Sequence, residues 1–190
     1  ESPEAKAAMI EVVHAAAKQT FIDGFFHGDP HSGNILINDE GTICLIDWGL
    51  VGHLTMAERD DLLTLALAVI TNDIDTIARV LLRMGTPLDR VNMAEFKAEI
   101  ARFRAENLEV SSLGDSDASR MIEDFAGAAQ KYRVKLATEY SVLAKAASTI
   151  EGIVRTLDPD VPIVEIARGY IEPLIKQRYT PQKLLEEALS

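Results

Sequence analysis

Two polar segments flank a short hairpin pattern, and this arrangement limits the possible fold more than any other feature of the chain. The first, residues 27–34, reads HGDPHSGN and leads into an apolar run at 35–37. After a turn, a second apolar run at 43–46 leads into Asp47, Trp48 and Gly49. Because an antiparallel hairpin brings its two outer ends together, Asn34 and Asp47 are predicted to lie side by side.

The residue types at this hairpin end favour phosphate chemistry. The amide oxygen of Asn34 and the carboxylate of Asp47 are hard ligands that suit Mg²⁺ bound to nucleotide phosphates. Asp29 lies on the same loop, where it could accept a hydroxyl proton or orient a water molecule. The spacing H-x-D-x-x-x-x-N followed by D-aromatic-G is that of a kinase catalytic loop and its metal-binding turn. Asn34 and Asp47 are therefore predicted to hold Mg²⁺ and nucleotide, with Asp29 catalytic.

Three neighbouring residues have more than one interpretation. His31 either contacts the transferred phosphate as a second catalytic residue or is an exposed loop histidine without a role. Gly49 is assigned to the nucleotide site, more for the backbone geometry that it permits beside Asp47 than for its chemistry. His27 is predicted to pack inward and to hydrogen-bond backbone carbonyls, which would brace the loop.

The rest of the chain has helical periodicity. Helices are predicted near residues 3–21, 55–70, 73–84, 93–108, 117–134, 138–157, 162–177 and 181–189. Gly24 is expected to stop the first helix, and Thr55 with Glu58 three residues later forms a capping-box pattern that begins the second. The predicted fold class is mainly α with a small β-hairpin, resembling the carboxy-terminal lobe of a protein kinase. We predict one domain over residues 1–190, with the catalytic loop at 27–34, the metal-binding DWG at 47–49 and a helical remainder at 55–190.

Composition narrows the function further. The net charge of −11 disfavours nucleic acid as a partner. The chain has a single cysteine, Cys44, which excludes an internal disulfide and favours the cytoplasmic side. Because residues alternate between the two faces of a strand, Cys44 is predicted to lie in the core. The longest uncharged apolar run, residues 62–70, is too short to cross a bilayer.

The two loops also resemble a specific family, the UbiB-type atypical kinases. Residues 24–36, GFFHGDPHSGNIL, are similar to that family's GFFHADPHPGNIL, and residues 45–52, LIDWGLVG, to its LIDFGMVG. A later segment, 140–159, resembles its "LEG…LDP" region. Four positions depart from the pattern, and none of them is a metal ligand: Gly28, Ser32, Trp48 and His53.

The resemblance implies a kinase-like fold that binds ATP and Mg²⁺ and acts as an ATPase or as a phosphotransferase. It also implies a link to isoprenoid quinone metabolism and membrane lipids, with a small-molecule or lipid acceptor. By position, Asp29 matches the catalytic aspartate, Asn34 the loop metal ligand and Asp47 the metal-binding aspartate. Peripheral membrane association, through regions outside this segment, is a further expectation.

No counterpart of the family's amino-terminal half is found before residue 1, so the chain is expected to be the carboxy-terminal lobe and to be inactive alone. That half carries the lysine and the nucleotide loop that position the phosphates. Two alternatives stay open. The first is an aminoglycoside or choline kinase-like phosphotransferase, since the patterns HGD…N and IDWG also suit that group. The second is that the chain is a catalytically silent helical module that binds a partner or a lipid.

Overall fold

A computed structural model of the chain describes residues 3–110 and 118–178, and it is mainly helical with short antiparallel strands. The helices are α1 Pro3–Lys18, α2 Met56–Ile70, α3 Ile74–Arg83, α4 Met93–Val110, α5 Ala118–Lys131, α6 Thr138–Leu157 and α7 Ile163–Arg178. The strands are β1 Phe25–His27, β2 Ile35–Ile37, β3 Ile43–Leu45, β4 Val51–His53, β5 Gly85–Pro87 and β6 Val134–Leu136. The predicted fold class is confirmed, and the predicted helix at 181–189 lies outside the described residues.

The first helix ends as the sequence predicts, at Gly24. α1 continues into one turn of π-helix, Gln19–Asp23, which the periodicity does not reveal. Gly24 follows with φ 65°, and its N–H donates to the Gln19 carbonyl. A Cβ at this position would lie 2.7 Å from the Leu54 carbonyl oxygen. Glycine is therefore required both by the left-handed backbone and by the close approach of the neighbouring chain.

The predicted hairpin is present as β2 and β3, with Ile35 opposite Leu45 and Leu36 opposite Cys44. Its two faces differ. Ile35 and Ile43 pack against a buried cluster of α1 and α6. Leu36 and Cys44 lie on the opposite face and are exposed. The prediction that Cys44 lies in the core is wrong, because helices cover only one face of this hairpin and the alternation alone does not say which one.

The sequence predicts a single hairpin, but the described residues contain two further strand pairs. β1 pairs with β4, placing Phe26 opposite Gly52, and β5 pairs with β6. These strands are as short as β2 and β3, but no short turn joins β1 to β4 or β5 to β6, so no local hairpin pattern marks them. The β1–β4 pair has functional importance because it begins and ends beside the two polar loops.

Within residues 3–110 and 118–178, the buried side chains form three clusters. One lies between α2, α3, α4 and α5 and includes Ile77, Phe96 and Ile100. A second joins α1 to α6, and a third surrounds Phe26 and Tyr140. Thr55 caps α2 by accepting from the Glu58 N–H, while Glu58 accepts from the Thr55 N–H, as the capping-box pattern predicts.

The segment that resembles "LEG…LDP" builds the corner between α6 and α7. Arg155 donates to the carbonyls of Pro159 and Val161, which closes the turn after α6. The buried Asp158 accepts from the Asp160 N–H and pairs with Lys6 of α1 at 3.5 Å. This segment therefore holds the last two helices against the first. Among the described residues, no helix combines the length and apolar character needed to span a membrane.

We expect Gly52→Ala to destabilise the chain by about 1–3 kcal/mol, because a Cβ at that position would overlap the Phe26 ring. Gly127→Ala is the control: Gly127 lies on the exposed side of α5, where a Cβ meets nothing within 4 Å. Replacing it should stabilise the chain by about 0.5–1 kcal/mol. Urea unfolding measures both, and a Gly52→Ala variant as stable as the parent would contradict the proposed packing of β1 on β4.

Candidate active site

The catalytic-loop sequence folds back on itself through the side chain of Asn34. Residues Ser32–Asn34 form one 3₁₀ turn, in which the Asn34 N–H donates to the His31 carbonyl at 2.8 Å. The Asn34 Nδ2 donates to the Asp29 carbonyl at 3.0 Å, and the side chain is buried. Because Nδ2 is engaged in this way, Oδ1 is the atom of the amide that remains for a cation.

His27 connects the two polar segments. Its ring is buried, its Nε2 donates to the Ile46 carbonyl at 2.9 Å, and its Nδ1 accepts from the Asp29 N–H at 3.1 Å. These partners require the ring proton on Nε2. The prediction that His27 packs inward and bonds a backbone carbonyl is confirmed. The hydrogen bond from the Asp29 N–H to its Nδ1 was not predicted from the sequence.

Asp47 has a left-handed backbone, with φ 56°. Its Oδ1 accepts from the Gly49 N–H at 3.3 Å, and a Cβ on Gly49 would lie 3.1 Å from that oxygen. A non-glycine residue in this region is under strain, which is a property of many functional sites. Gly49 thus supports the Asp47 carboxylate through its N–H and its lack of a side chain.

Trp48 packs beside this turn as well as facing solvent. Its ring stacks on Phe25 at 5.6 Å between centroids and lies 4.8 Å from the His27 ring. Its Nε1 donates to the Leu45 carbonyl. The tryptophan therefore fixes the direction in which the chain leaves β3.

The structure brings the predicted residues to one end of the hairpin. The Ile46 N–H donates to the Asn34 carbonyl at 3.0 Å, which places Asp47 one residue beyond Asn34 across the ladder. Asp29 is tied to Asn34 through its own carbonyl. Asn34 Oδ1 and the exposed carboxylate of Asp47 are the donor atoms that a hard cation prefers, and the residues fit Mg²⁺ in that respect. Among the described residues there is no group of three or more His, Cys, Asp and Glu side chains arranged around a common metal position.

His31 is exposed, and its Nδ1 accepts from the Gly33 N–H at 3.1 Å. The ring thus caps the 3₁₀ turn that carries Asn34. Both of its interpretations, phosphate contact and no catalytic role, stay predictions.

Sequence reasoning missed Lys145. This lysine lies on α6, far along the chain, and its Nζ is 3.9 Å from the Asp29 Oδ1. Both side chains are accessible, so the pair is weak in itself. Its position matters more, since it brings a positive charge to the aspartate of the catalytic loop. No local pattern distinguishes this lysine from the other lysines of the helices.

An apolar surface adjoins the site. Leu36, Cys44 and Ile46 share the exposed face of the hairpin, and Leu36 is 50% exposed. A row of solvent-facing apolar side chains beside Asn34 and Asp47 is typical of a surface that contacts another molecule.

The fold and the site define a kinase-like lobe, and comparison with known proteins identifies its family. The ABC1 atypical kinase-like domain matches residues 3–81, and the UbiB helical domain matches residues 100–162. The chain belongs to the ABC1/UbiB family of atypical kinase-like proteins. The second match includes the "LEG…LDP" segment, which favours this family over an aminoglycoside or choline kinase-like phosphotransferase.

Individual relatives agree with this assignment. A Clostridium pasteurianum protein named "Uncharacterized protein in hydrogenase 1 5'region" is 32% identical over 155 residues, covering 82% of this chain and 29% of its own length. A "Probable protein kinase UbiB" of Xanthomonas campestris is 29% identical over 188 residues, covering 96% of this chain and 34% of its own length. One from Xylella fastidiosa is 28% identical over the same length. The chain thus spans about a third of the length of these relatives.

We expect His27→Phe to destabilise the chain by about 2–4 kcal/mol, because the Asp29 N–H and the Ile46 carbonyl both lose their partner. Hydrogen exchange at the Asp29 amide should accelerate in the same variant. The control is His53→Phe, at an exposed ring on β4, which should change stability by less than about 0.5 kcal/mol. Unaltered exchange at Asp29 would contradict the bracing role of His27.

Proposed function

We propose that this chain carries the magnesium ligands and the catalytic aspartate of an ATP-dependent phosphotransferase or ATPase. The observation that carries the proposal is the closure of the two polar loops onto one another. His27 bonds both loops, and the Ile46 N–H bonds Asn34. Asp29, Asn34 and Asp47 are thereby held at one end of the hairpin by partly buried hydrogen bonds.

Asn34 and Asp47 would hold Mg²⁺ together with the phosphates of ATP. Asp47 supplies a carboxylate whose orientation is supported by the Gly49 N–H. Asn34 supplies an amide oxygen, with its nitrogen anchored on the Asp29 carbonyl. The cation, when bound, neutralises phosphate charge and so favours displacement at phosphorus.

The exposed apolar face of the hairpin gives the nucleotide base a place to lie. Leu36 and Ile46 are both solvent-exposed, and Ile46 directly precedes Asp47. A flat aromatic base on this face would cover apolar surface while its phosphates reach the two ligands.

Asp29 is proposed to accept a proton from the attacking hydroxyl or to orient a water molecule. It is half-exposed, so an acceptor can reach it, and its N–H is fixed by His27. Lys145 lies close enough to balance the charge of its carboxylate. Phosphotransfer and hydrolysis differ only in which oxygen occupies that position.

The acceptor and the partners rest on the family resemblance. Relatives named as probable protein kinases support a kinase-like activity. The resemblance to the UbiB type supports a link to isoprenoid quinone or lipid metabolism. Catalysis is proposed to need an upstream lobe in the same protein, because phosphoryl transfer requires charge neutralisation on both sides of the nucleotide. The chain alone is therefore expected to bind nucleotide weakly and to turn over negligibly.

Asp47→Asn should remove Mg²⁺-dependent nucleotide binding, because it removes the only charged oxygen ligand proposed for the cation. The exposed Cys44 is the single thiol of the chain and reports on the apolar face. Its rate of alkylation by iodoacetamide is measured with and without Mg·ATP. Protection is expected in the parent chain and should be lost in the variant and on addition of EDTA.

The matched control is Asp39→Asn, which removes the same charge at the far end of the hairpin, in the turn. That variant should retain protection. If Asp47→Asn and Asp39→Asn are protected equally, Asp47 is not a ligand. If Mg·ATP protects Cys44 in neither the parent nor the control, the chain is better regarded as a silent helical module.

Asp29→Ala is expected to lower turnover by about 10²–10⁴-fold while leaving nucleotide affinity within a few-fold. The physical reason is that Asp29 meets the acceptor and not the metal. Turnover is measured in a longer natural protein that includes the upstream lobe, with Asp39→Ala as control. A large loss of ATP affinity with turnover preserved would reverse the roles of Asp29 and Asp47.

A further inference from the structure

A cavity of about 330 Å³ lies where the three buried clusters meet. Side chains from α1, α2, α3, α5, α6 and α7 line it, and nearly all of them are apolar. Protein interiors are close-packed, and voids larger than a water molecule are few. This cavity is instead within the ~300–1,000 Å³ range of small-molecule sites.

The polar groups in the cavity wall are already engaged. The Thr20 hydroxyl donates to the Ala16 carbonyl, and the Gln19 Oε1 accepts from the His27 N–H. The Tyr140 hydroxyl donates to the Glu58 carbonyl, and burial raises the pKa of Tyr140, so this hydroxyl keeps its proton. An occupant therefore meets apolar carbon and needs no polar group inside the cavity.

The charge of the wall restricts the occupant further. Glu151 lies in the wall, buried and paired with Arg155 at 3.8 Å, and the chain as a whole carries a charge of −11. Bringing a second carboxylate near Glu151 without a free cation is unfavourable. A free fatty acid is therefore a poor ligand, and a neutral chain is a good one.

We propose that this cavity binds the hydrocarbon chain of a neutral lipid. A branched prenyl chain and a linear alkyl chain share the required chemistry, since each is apolar, uncharged and narrow. The inference stands on the cavity and its wall and does not depend on the proposed kinase function.

The position of the cavity links such a ligand to the catalytic loop. His27, Pro30 and Leu45 form part of the wall. His27 is the ring that bonds the Asp29 N–H and the Ile46 carbonyl. A chain packed against it would restrict the ring and so reduce opening of both polar loops.

The test measures binding to the chain of farnesol and of 1-dodecanol, which share a twelve-carbon backbone, by thermal shift and calorimetry. Sodium dodecanoate is the charged comparison. We expect at least one alcohol to bind, with an affinity at least about tenfold higher than that of dodecanoate. Whichever alcohol binds more tightly identifies a prenyl or an alkyl source. The same alcohol should slow hydrogen exchange at the Asp29 amide.

Two variants fill the cavity from opposite walls. If one of them fails to fold, the other still tests the proposal. Ala147→Leu acts from α6 and Ala16→Leu from α1. Each should weaken alcohol binding at least about tenfold and raise the melting temperature of the free chain by about 2–4 °C, because the void is filled. Ala98→Leu, on the exposed side of α4, makes the same change away from the cavity and should leave binding unaltered.

The outcomes separate clearly. Alcohol binding that is lost in the filled variants but retained in Ala98→Leu supports the proposal. Absence of binding by both alcohols overturns it, even if filling raises the melting temperature, since the cavity is then a packing void. Binding that survives in both filled variants overturns it too. Equal binding of dodecanoate overturns the requirement for a neutral ligand. Failure of nucleotide to protect Cys44 bears only on the proposed function.

Discussion

The buried ring of His27 determines how the two polar loops meet. Each of its nitrogens has a partner on a different segment, the Asp29 N–H on one side and the Ile46 carbonyl on the other. A single imidazole therefore sets the separation between the loop that carries Asp29 and the strand that leads to Asp47. Phosphate chemistry depends on such separations, since reacting groups must be held in near-attack geometry before charge develops. The strain at Asp47 can persist because this frame surrounds it.

The hairpin serves the site through the difference between its two faces. Ile35 and Ile43 anchor it to the helices, whereas Leu36 and Cys44 present apolar surface to solvent. An isolated two-stranded hairpin is marginal in water, so the packed face is what keeps Asn34 and Asp47 at its open end in register. The exposed face is then free to cover a ligand.

Local patterns were sufficient for most elements and for the principal residues of the site. The capping box at Thr55, the stop at Gly24 and the helices beyond α2 follow from short-range backbone chemistry, which acts within a turn or two. The spacing of Asp29, Asn34 and Asp47 predicted that they lie at one end of the hairpin because a hairpin is itself a local structure. Three-residue strands such as β1 and β4 were missed, since their pairing depends on the contact of Phe26 with Gly52 and not on periodicity.

The sequence by itself determined the mainly helical class, the polar loops and the residue types that meet at the end of the hairpin, because all of these arise from neighbours in the chain. Only the tertiary structure decided which hairpin face is covered, that Lys145 reaches Asp29, and that a cavity remains between the three clusters. Each of these depends on how helices far apart in the chain pack against one another. Packing of that kind is a property of volumes and distances across the whole molecule, and no local pattern of residues encodes it.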